Sequence, residues 1–228
     1  KDLQAYIKNF HRFIEVESLI HGNVKETEAK QIAKTIYDLN LGQSKNQPRP
    51  QKVVKLNKTT QALVQQLEID HNDSTLIMSY IGDDASLETQ AKYALLGSML
   101  NAPFFKAIRT DQQLGYIVSG RSTQLEDLPG MRFLIQSPKA GPMELNRRVE
   151  AFLQEFKSTL STMTPEKFAE YKAGLIKDLQ AKHKNLGERT SDYWDEIKDK
   201  EFKFDSKQKL VATIETLQPK QLVDFYSY

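Results

Sequence analysis

Two parts of the chain differ in the spacing of their hydrophobic residues, and each spacing predicts its own secondary structure. Between residues 52 and 137, short apolar and β-branched runs predict five strands: Lys52–Asn57, Leu63–Ile69, Thr75–Ile81, Tyr116–Ser122 and Met131–Ser137. From Met143 onward apolar residues recur at i, i+3, i+4 and i+7, which predicts helices up to the C-terminus. Strands early and helices late indicate an α+β fold, in which a mainly antiparallel sheet is covered by helices on one face.

Several helix boundaries can also be predicted from the sequence. Ser86 is a residue type that caps helix N-termini, and Thr164 followed by Pro165 fits an N-cap and a first helical position. We expect the chain to restart at Pro103 as a short helix with an apolar face, and Gly115 to end that helix.

The first 42 residues have a different predicted order of elements and are separated from the rest of the chain by a polar stretch. They are expected to form a helix, a strand over residues 13–20 and a second helix over residues 27–39. Residues 43–51 have two prolines and no apolar residue, which is typical of a linker. We therefore predict a domain boundary in this stretch, with residues 1–45 before it and residues 46–228 after it.

Composition excludes some classes of function. Hydrophobic residues make up 39% of the 228 residues, enough for a packed core, and charged residues make up 27%. The formal net charge of +2 is too balanced for a typical nucleic-acid-binding protein, so no nucleic-acid partner is expected. No stretch approaches the roughly 20 apolar residues that a membrane-spanning helix needs, so no membrane partner is expected either.

The metal-binding residue types are sparse. The chain has no cysteine, and no two of its four histidines lie within one helical turn of each other, so a zinc-binding helix with two histidines is excluded. No metal site is therefore predicted, although a site assembled from three distant histidines stays open. Four aspartates are interpreted as turn carboxylates, with a calcium site of other than EF-hand spacing left open: Asp70, Asp73, Asp83 and Asp84.

One continuous motif carries a family resemblance. The run from Pro103 to Val118, PFFKAIRTDQQLGYIV, resembles a phrase in the last quarter of the long-chain pitrilysin and insulin-degrading-enzyme family (M16 zinc metallopeptidases). The similarity continues, in the same order and with similar spacing, through residues 130–137, 148–153 and 193–197. Gln112 departs from this pattern, because the family usually has Glu there.

The resemblance implies an architecture and a cofactor. Members of this family have two bowl-shaped halves, each built from two related α+β domains of the LuxS/metallohydrolase type. The N-terminal half holds zinc through an inverted His-x-x-Glu-His motif and a distant Glu. The C-terminal half closes the chamber around the peptide substrate. By this resemblance, residues 1–45 end one domain, and residues 46–228 form the last domain, expected to be incomplete at its C-terminus.

The resemblance also implies two substrate-binding residues, Arg109 and Tyr116, which reach the zinc centre across the chamber. An arginine and a tyrosine are both hydrogen-bond donors, suited to a peptide carbonyl or a developing oxyanion. They have no obvious acceptor nearby in the sequence. The alternative from the residues alone is structural: a surface arginine with its stem on the core, and a tyrosine packed at the edge of a sheet.

The sequence leaves two functions open. The first is the non-zinc-binding, closing part of a zinc-dependent endopeptidase, expected to be inactive by itself and to have the N-terminal half of the same protein and peptide substrates as partners. The second is a non-catalytic peptide-binding or scaffold member of the same family. The family resemblance favours the periplasm, with the cytoplasm as the alternative, and leaves homodimerisation open.

Overall fold

The computed structural model describes residues 2–12, 14, 16–39, 62–200 and 202–227. In chain order the elements are α1 (Asp2–Arg12), α2 (Glu26–Asp38), β1 (Ser74–Ile81), α3 (Leu87–Phe105), a π-helical turn (Lys106–Asp111), β2 (Ile117–Leu125), β3 (Leu128–Ser137), α4 (Pro142–Ser161), α5 (Pro165–Leu179), α6 (Leu186–Lys198), α7 (Ser206–Thr216) and α8 (Pro219–Tyr226).

The described residues pack into two compact units. The N-terminal unit takes its residues from Lys1–Lys52 and Lys182–Phe204, and the sheet unit takes its residues from Val53–Ala181 and Asp205–Tyr228. Helix α6 thus groups with α1 and α2, although it lies far from them in the sequence. The predicted boundary between residues 43 and 51 falls outside the described residues and stays a prediction.

In the N-terminal unit, the two predicted helices form but the predicted strand does not. Residue 14 and residues 16–25 have no strand structure, so the prediction of a strand over residues 13–20 is wrong for the part that is described. A strand needs a neighbouring strand to pair its backbone groups, and the described residues of this unit offer none. The His21 Nδ1 instead lies 2.8 Å from the Thr190 Oγ1, which links this segment to α6.

The sheet unit contains the antiparallel sheet that the sequence predicts. Its strand order is β1-β3-β2, with Ser74 opposite Ser137 and Ile117 opposite Gln136. Three of the five strands predicted between residues 52 and 137 are therefore confirmed. The prediction for Leu63–Ile69 is wrong, because this segment joins no strand and exposes its apolar side chains. The prediction for Lys52–Asn57 lies outside the described residues.

Helices cover one face of the sheet, as predicted. Phe133 and Ile135 of β3 point into the core and are at most 1% exposed. Phe104 of α3 meets the Phe133 ring and the Phe152 ring of α4, with ring centroids 5.0 and 5.2 Å apart. Arg132 and Ile77 on the other face are exposed. Within the part of the chain that is described, no helix is long and apolar enough to span a membrane.

The predicted caps are present, but the predicted break at Pro103 is not. Ser86 accepts a hydrogen bond from the Thr89 amide at 3.2 Å, and Thr164 accepts one from the Lys167 amide at 3.3 Å. Helix α3 continues through Pro103 to Phe105 and then widens into the π-helical turn. Because proline lacks an N–H, the helix loses one hydrogen bond there without ending.

Candidate functional site

The π-helical turn places Arg109 at the surface of the sheet unit. Ile108 is fully buried and anchors the turn in the core, whereas Arg109 beside it is exposed. The Gln112 amide donates to the Ala107 carbonyl at 3.1 Å, which is the i to i−5 bond of a π-helix. Such single wide turns are frequent at functional sites because they redirect side chains.

The turn that follows delivers Tyr116 to the start of β2. Gly115 is buried against β3 so closely that a β-carbon on it would lie 2.7 Å from the Gln136 carbonyl oxygen. Only glycine fits here without a shift of the backbone. The Tyr116 amide then donates to that carbonyl at 3.1 Å, which begins the pairing of β2 with β3. The Tyr116 side chain is 46% exposed.

Arg109 and Tyr116, the two residues predicted from the sequence, line the same open pocket. Its volume is about 520 Å³, and its walls include Phe105, Arg109, Gln113, Leu114, Tyr116 and Lys139. Phe105 is 46% exposed and gives the pocket an aromatic wall. The pocket thus combines apolar surface with two cations and a phenol, groups that suit an extended peptide with carbonyl oxygens and apolar side chains.

Each of the two predicted donors already has an acceptor within the chain, contrary to the expectation from the sequence. Arg109 donates through Nη1 to the Gly115 carbonyl at 2.8 Å. The other N–H groups of its guanidinium take no part in that bond. The Tyr116 hydroxyl donates to the Asp73 Oδ2 at 2.6 Å. The Gln136 Nε2 donates to the same oxygen at 3.1 Å.

The hydrogen bond between Tyr116 and Asp73 shifts the pKa values of both groups. It is the largest cause that lowers the pKa of Asp73 below 3.8, and the Gln136 hydrogen bond adds to it. It is also the largest cause that raises the pKa of Tyr116 above 10.0. Near neutral pH, Asp73 is therefore a carboxylate and Tyr116 a neutral phenol.

The sequence reading missed Asp73 and Gln136, although the strands contained a signal. Asp73 immediately precedes β1, whose first residue pairs with the last residue of β3, and Tyr116 immediately precedes β2, which pairs with the same end of β3. The starts of both edge strands therefore meet beside Gln136. Reading Asp73 only as a turn carboxylate overlooked that a predicted antiparallel sheet brings these strand ends together.

Ser137 holds the loops around the pocket and was also missed. It is 1% exposed, and its hydroxyl donates to the Leu114 carbonyl. The same oxygen accepts from the Lys139 and Ala140 amides, at 3.1 Å each. One buried hydroxyl thus joins the end of β3 to the turn before Tyr116 and to the segment that carries Lys139.

No three histidine, aspartate or glutamate side chains group as a metal site in the part of the chain that is described. His71 accepts a hydrogen bond from the Asp73 amide at 3.0 Å, and the His183 Nε2 lies 2.5 Å from the Asp192 Oδ2. Both histidines are therefore engaged by groups of the chain itself.

Comparison with known proteins supports the family resemblance. Residues 95–194 match the family model described as "PQQ synthase PqqF-like, C-terminal lobe domain 4". The chain is 33% identical over 223 residues to "Insulin-degrading enzyme-like 1, peroxisomal" of Arabidopsis thaliana, which covers 92% of this chain and 23% of that protein. It is 29% identical over 230 residues to human insulin-degrading enzyme, which covers 98% of this chain and 22% of that enzyme.

A solved structure shares the fold. The crystal structure of pitrilysin matches with a TM-score of 0.70 and 26% identity over 90% of this chain and 22% of that chain. The resemblance to the M16 peptidases is therefore confirmed, and the matched model describes a domain of a C-terminal lobe. The chain spans only about a quarter of the length of the curated relatives that it matches.

Proposed function

We propose, because this chain is homologous to the C-terminal lobe of the M16 peptidases, that it closes the chamber of a zinc-dependent endopeptidase and contributes contacts to the peptide substrate. The zinc, which in this family supplies the activated water, would be held by the N-terminal half of the same protein. The single observation that carries the proposal is the shared pocket of Arg109 and Tyr116.

The chemistry of the two side chains supports a role on the substrate carbonyl. Arg109 keeps N–H groups beyond the one bonded to Gly115, and the half-exposed Tyr116 hydroxyl can turn from Asp73 to an incoming acceptor. A peptide carbonyl gains negative charge when water attacks it. Fixed donors aimed at that oxygen favour the transition state over the ground state.

The wall of the pocket supports a peptide as the ligand. Phe105 is the exposed neighbour of the fully buried Phe104, and it lines the pocket together with the partly buried Leu114. An apolar side chain of a peptide would cover this aromatic surface, while the polar groups bind the peptide backbone. Lys139 also lines the pocket and adds a second positive charge, which is favourable for carbonyl or carboxylate oxygens.

The partners and the compartment follow from the same proposal. The chain would pack against the N-terminal half of its own protein and would be inactive without it, since the zinc ligands would lie on that half. The division of the chain into residues 1–45, which end one domain, and residues 46–228, which form the last domain, is part of this proposal. A periplasmic location, with the cytoplasm as the alternative, and homodimerisation stay predictions.

The test is Tyr116→Phe in the full-length protein, because this change removes one hydroxyl and keeps the ring. Loss of one such donor lowers turnover by about 100- to 1000-fold in other hydrolases. We expect a loss of that order in peptide turnover, with the zinc content unchanged and the protein still folded. Tyr80→Phe is the matched control, because Tyr80 is 45% exposed, lies on β1 and is not among the residues that line the pocket.

Wild-type turnover in a folded, zinc-loaded Tyr116→Phe protein would return Tyr116 to a structural role at the edge of the sheet.

The non-catalytic alternative predicts a different experimental result. If the full-length wild type binds peptides but cleaves none, the protein is a peptide-binding or scaffold member of the family. Fluorescence polarisation with a labelled peptide measures binding separately from cleavage and therefore distinguishes the two functions.

A further inference from the structure

The Tyr116 hydroxyl has one proton, and that proton is already used within the chain. It is donated to the Asp73 Oδ2 at 2.6 Å, and Gln136 donates to the same oxygen at 3.1 Å. A substrate carbonyl that needs the Tyr116 proton must therefore take it from a carboxylate. Asp73 lies 43 residues before Tyr116 in the sequence and outside the family motif that contains the tyrosine.

A carboxylate is a strong competitor for that proton. Hydrogen bonds to ionised acceptors are shorter and roughly twice as strong as those between neutral groups. A neutral peptide carbonyl in the ground state is the weaker acceptor. Peptide binding through Tyr116 thus requires the bond to Asp73 to break, and the free energy of that exchange opposes binding.

The surroundings keep this competition active at neutral pH. Three groups face Asp73 from the elements around it: His71 in the preceding turn, Tyr116 before β2 and Gln136 on β3. The donors Tyr116 and Gln136 hold the pKa of Asp73 below its ordinary value, so the carboxylate stays ionised. Asp73 is only partly buried, so an arriving peptide can reach the hydrogen bond.

We propose that Asp73 competes with the peptide substrate for the Tyr116 hydroxyl and thereby sets the affinity of the site for weakly accepting, uncharged ligands. This inference rests on the proposed function, in which Tyr116 contacts substrate. Asp73 acts through Tyr116, so it is a specificity-determining residue rather than a catalytic one. A ligand with an anionic acceptor at this position would lose less from the competition than a neutral peptide carbonyl.

The experiment measures KM and kcat for peptide cleavage in the full-length protein with Asp73→Ala and Asp73→Asn. A typical net hydrogen bond corresponds to about a three- to tenfold change in affinity. We expect Asp73→Ala to lower KM by about that factor with kcat unchanged, and Asp73→Asn to lower it less, because a neutral amide oxygen still accepts. The control Asp70→Ala removes the same charge from an exposed residue in the same turn and should leave KM unchanged.

Two further measurements separate this inference from the proposed function. In a Tyr116→Phe background, Asp73→Ala should no longer change KM, because no hydroxyl is left to compete for. Titration followed by 13Cζ-tyrosine NMR measures the pKa of Tyr116 directly, and the signal that is missing in Tyr116→Phe identifies this tyrosine. In Asp73→Ala, the pKa of Tyr116 should fall toward 10.0.

The outcomes are distinct. A higher KM, or a lower kcat/KM, in Asp73→Ala would overturn the competition and make Asp73 an aligning residue. An unchanged KM in Asp73→Ala, with turnover impaired in Tyr116→Phe, would remove the competition and leave the proposed function standing. Wild-type turnover in Tyr116→Phe would remove the proposed function itself, whatever NMR reports about the pair.

Discussion

Gly97 of α3 lies so close to Ser122 of β2 that a β-carbon on Gly97 would be only 2.6 Å from the Ser122 amide nitrogen. The helix that leads into the π-helical turn therefore packs directly on β2, the strand that follows Tyr116. Glycine is required here because the two backbones approach each other without room for a side chain.

Gly97→Ala should consequently destabilise the protein. Overpacking of a tight core contact costs about 1–3 kcal/mol, since the helix or the strand must shift. Urea denaturation followed by circular dichroism measures the change. Gly174→Ala is the matched control in α5: a β-carbon on Gly174 would meet nothing within 4 Å beyond its own helix, and the change should stabilise by about 0.4–1 kcal/mol. Equal effects of the two substitutions would contradict the close contact.

Ser137→Ala should destabilise the sheet unit and loosen the pocket. The buried hydroxyl serves the Leu114 carbonyl and the amides of Lys139 and Ala140, which would lose their partner. Leaving buried polar groups unsatisfied costs about 1–3 kcal/mol. Ser79→Ala on the exposed face of β1 is the control and should stay within about 0.5 kcal/mol of wild type. Thermal unfolding of the three proteins would decide, and a Ser137→Ala protein as stable as wild type would rule out this role.

Phe104 and Phe105 are neighbours in the motif but should respond differently to removal. Phe104 is fully buried between Phe133 and Phe152, so Phe104→Ala should cost about 3–5 kcal/mol. Phe105 is 46% exposed and lines the pocket, so Phe105→Ala should change stability little and raise KM for peptides in the full-length protein. Chemical denaturation and peptide kinetics measure the two effects. A large stability loss in Phe105→Ala would place that ring in the core instead.

Tyr116→Phe should change how the free energy of unfolding depends on pH. The Tyr116 hydrogen bond lowers the folded-state pKa of Asp73, so the resulting stability is fully present above the unfolded value of about 3.8 and is lost as pH falls through the lowered folded value. Without the hydroxyl, this contribution is smaller, and the stability difference between wild type and variant should shrink below about pH 4.

Titration of the aspartate side-chain carbons by NMR checks this directly. The pKa of Asp73 should rise toward 3.8 in Tyr116→Phe. Asp84 provides the internal control, because hydrogen bonds from Ser86 lower its pKa and Tyr116 plays no part in them. A shift of both aspartates, or of neither, would show that the Tyr116 hydroxyl is not what lowers the pKa of Asp73.

Local features of this protein could be read from the sequence because neighbouring residues decide them. Ser86 and Thr164 accept from amides three residues ahead, so each cap is complete within one helical turn. Helix α8 begins at Pro219, a residue type that suits the first helical turn. The apolar run of Met131–Ser137 likewise predicted a strand, and the motif around Arg109 and Tyr116 predicted the family.

The tertiary structure alone decided which predicted segments found partners and which side chains met. Leu63–Ile69 has the composition of a strand, but no strand of the described residues pairs with it, so its backbone does not join the sheet. Asp73 reaches Tyr116 because β1 and β2 both begin at the end of β3. The sequence predicted Tyr116 as a hydrogen-bond donor, whereas the acceptor of the Tyr116 hydroxyl depended on strand order and register. Those are set by contacts between residues far apart in the chain, whose free energies no local pattern contains.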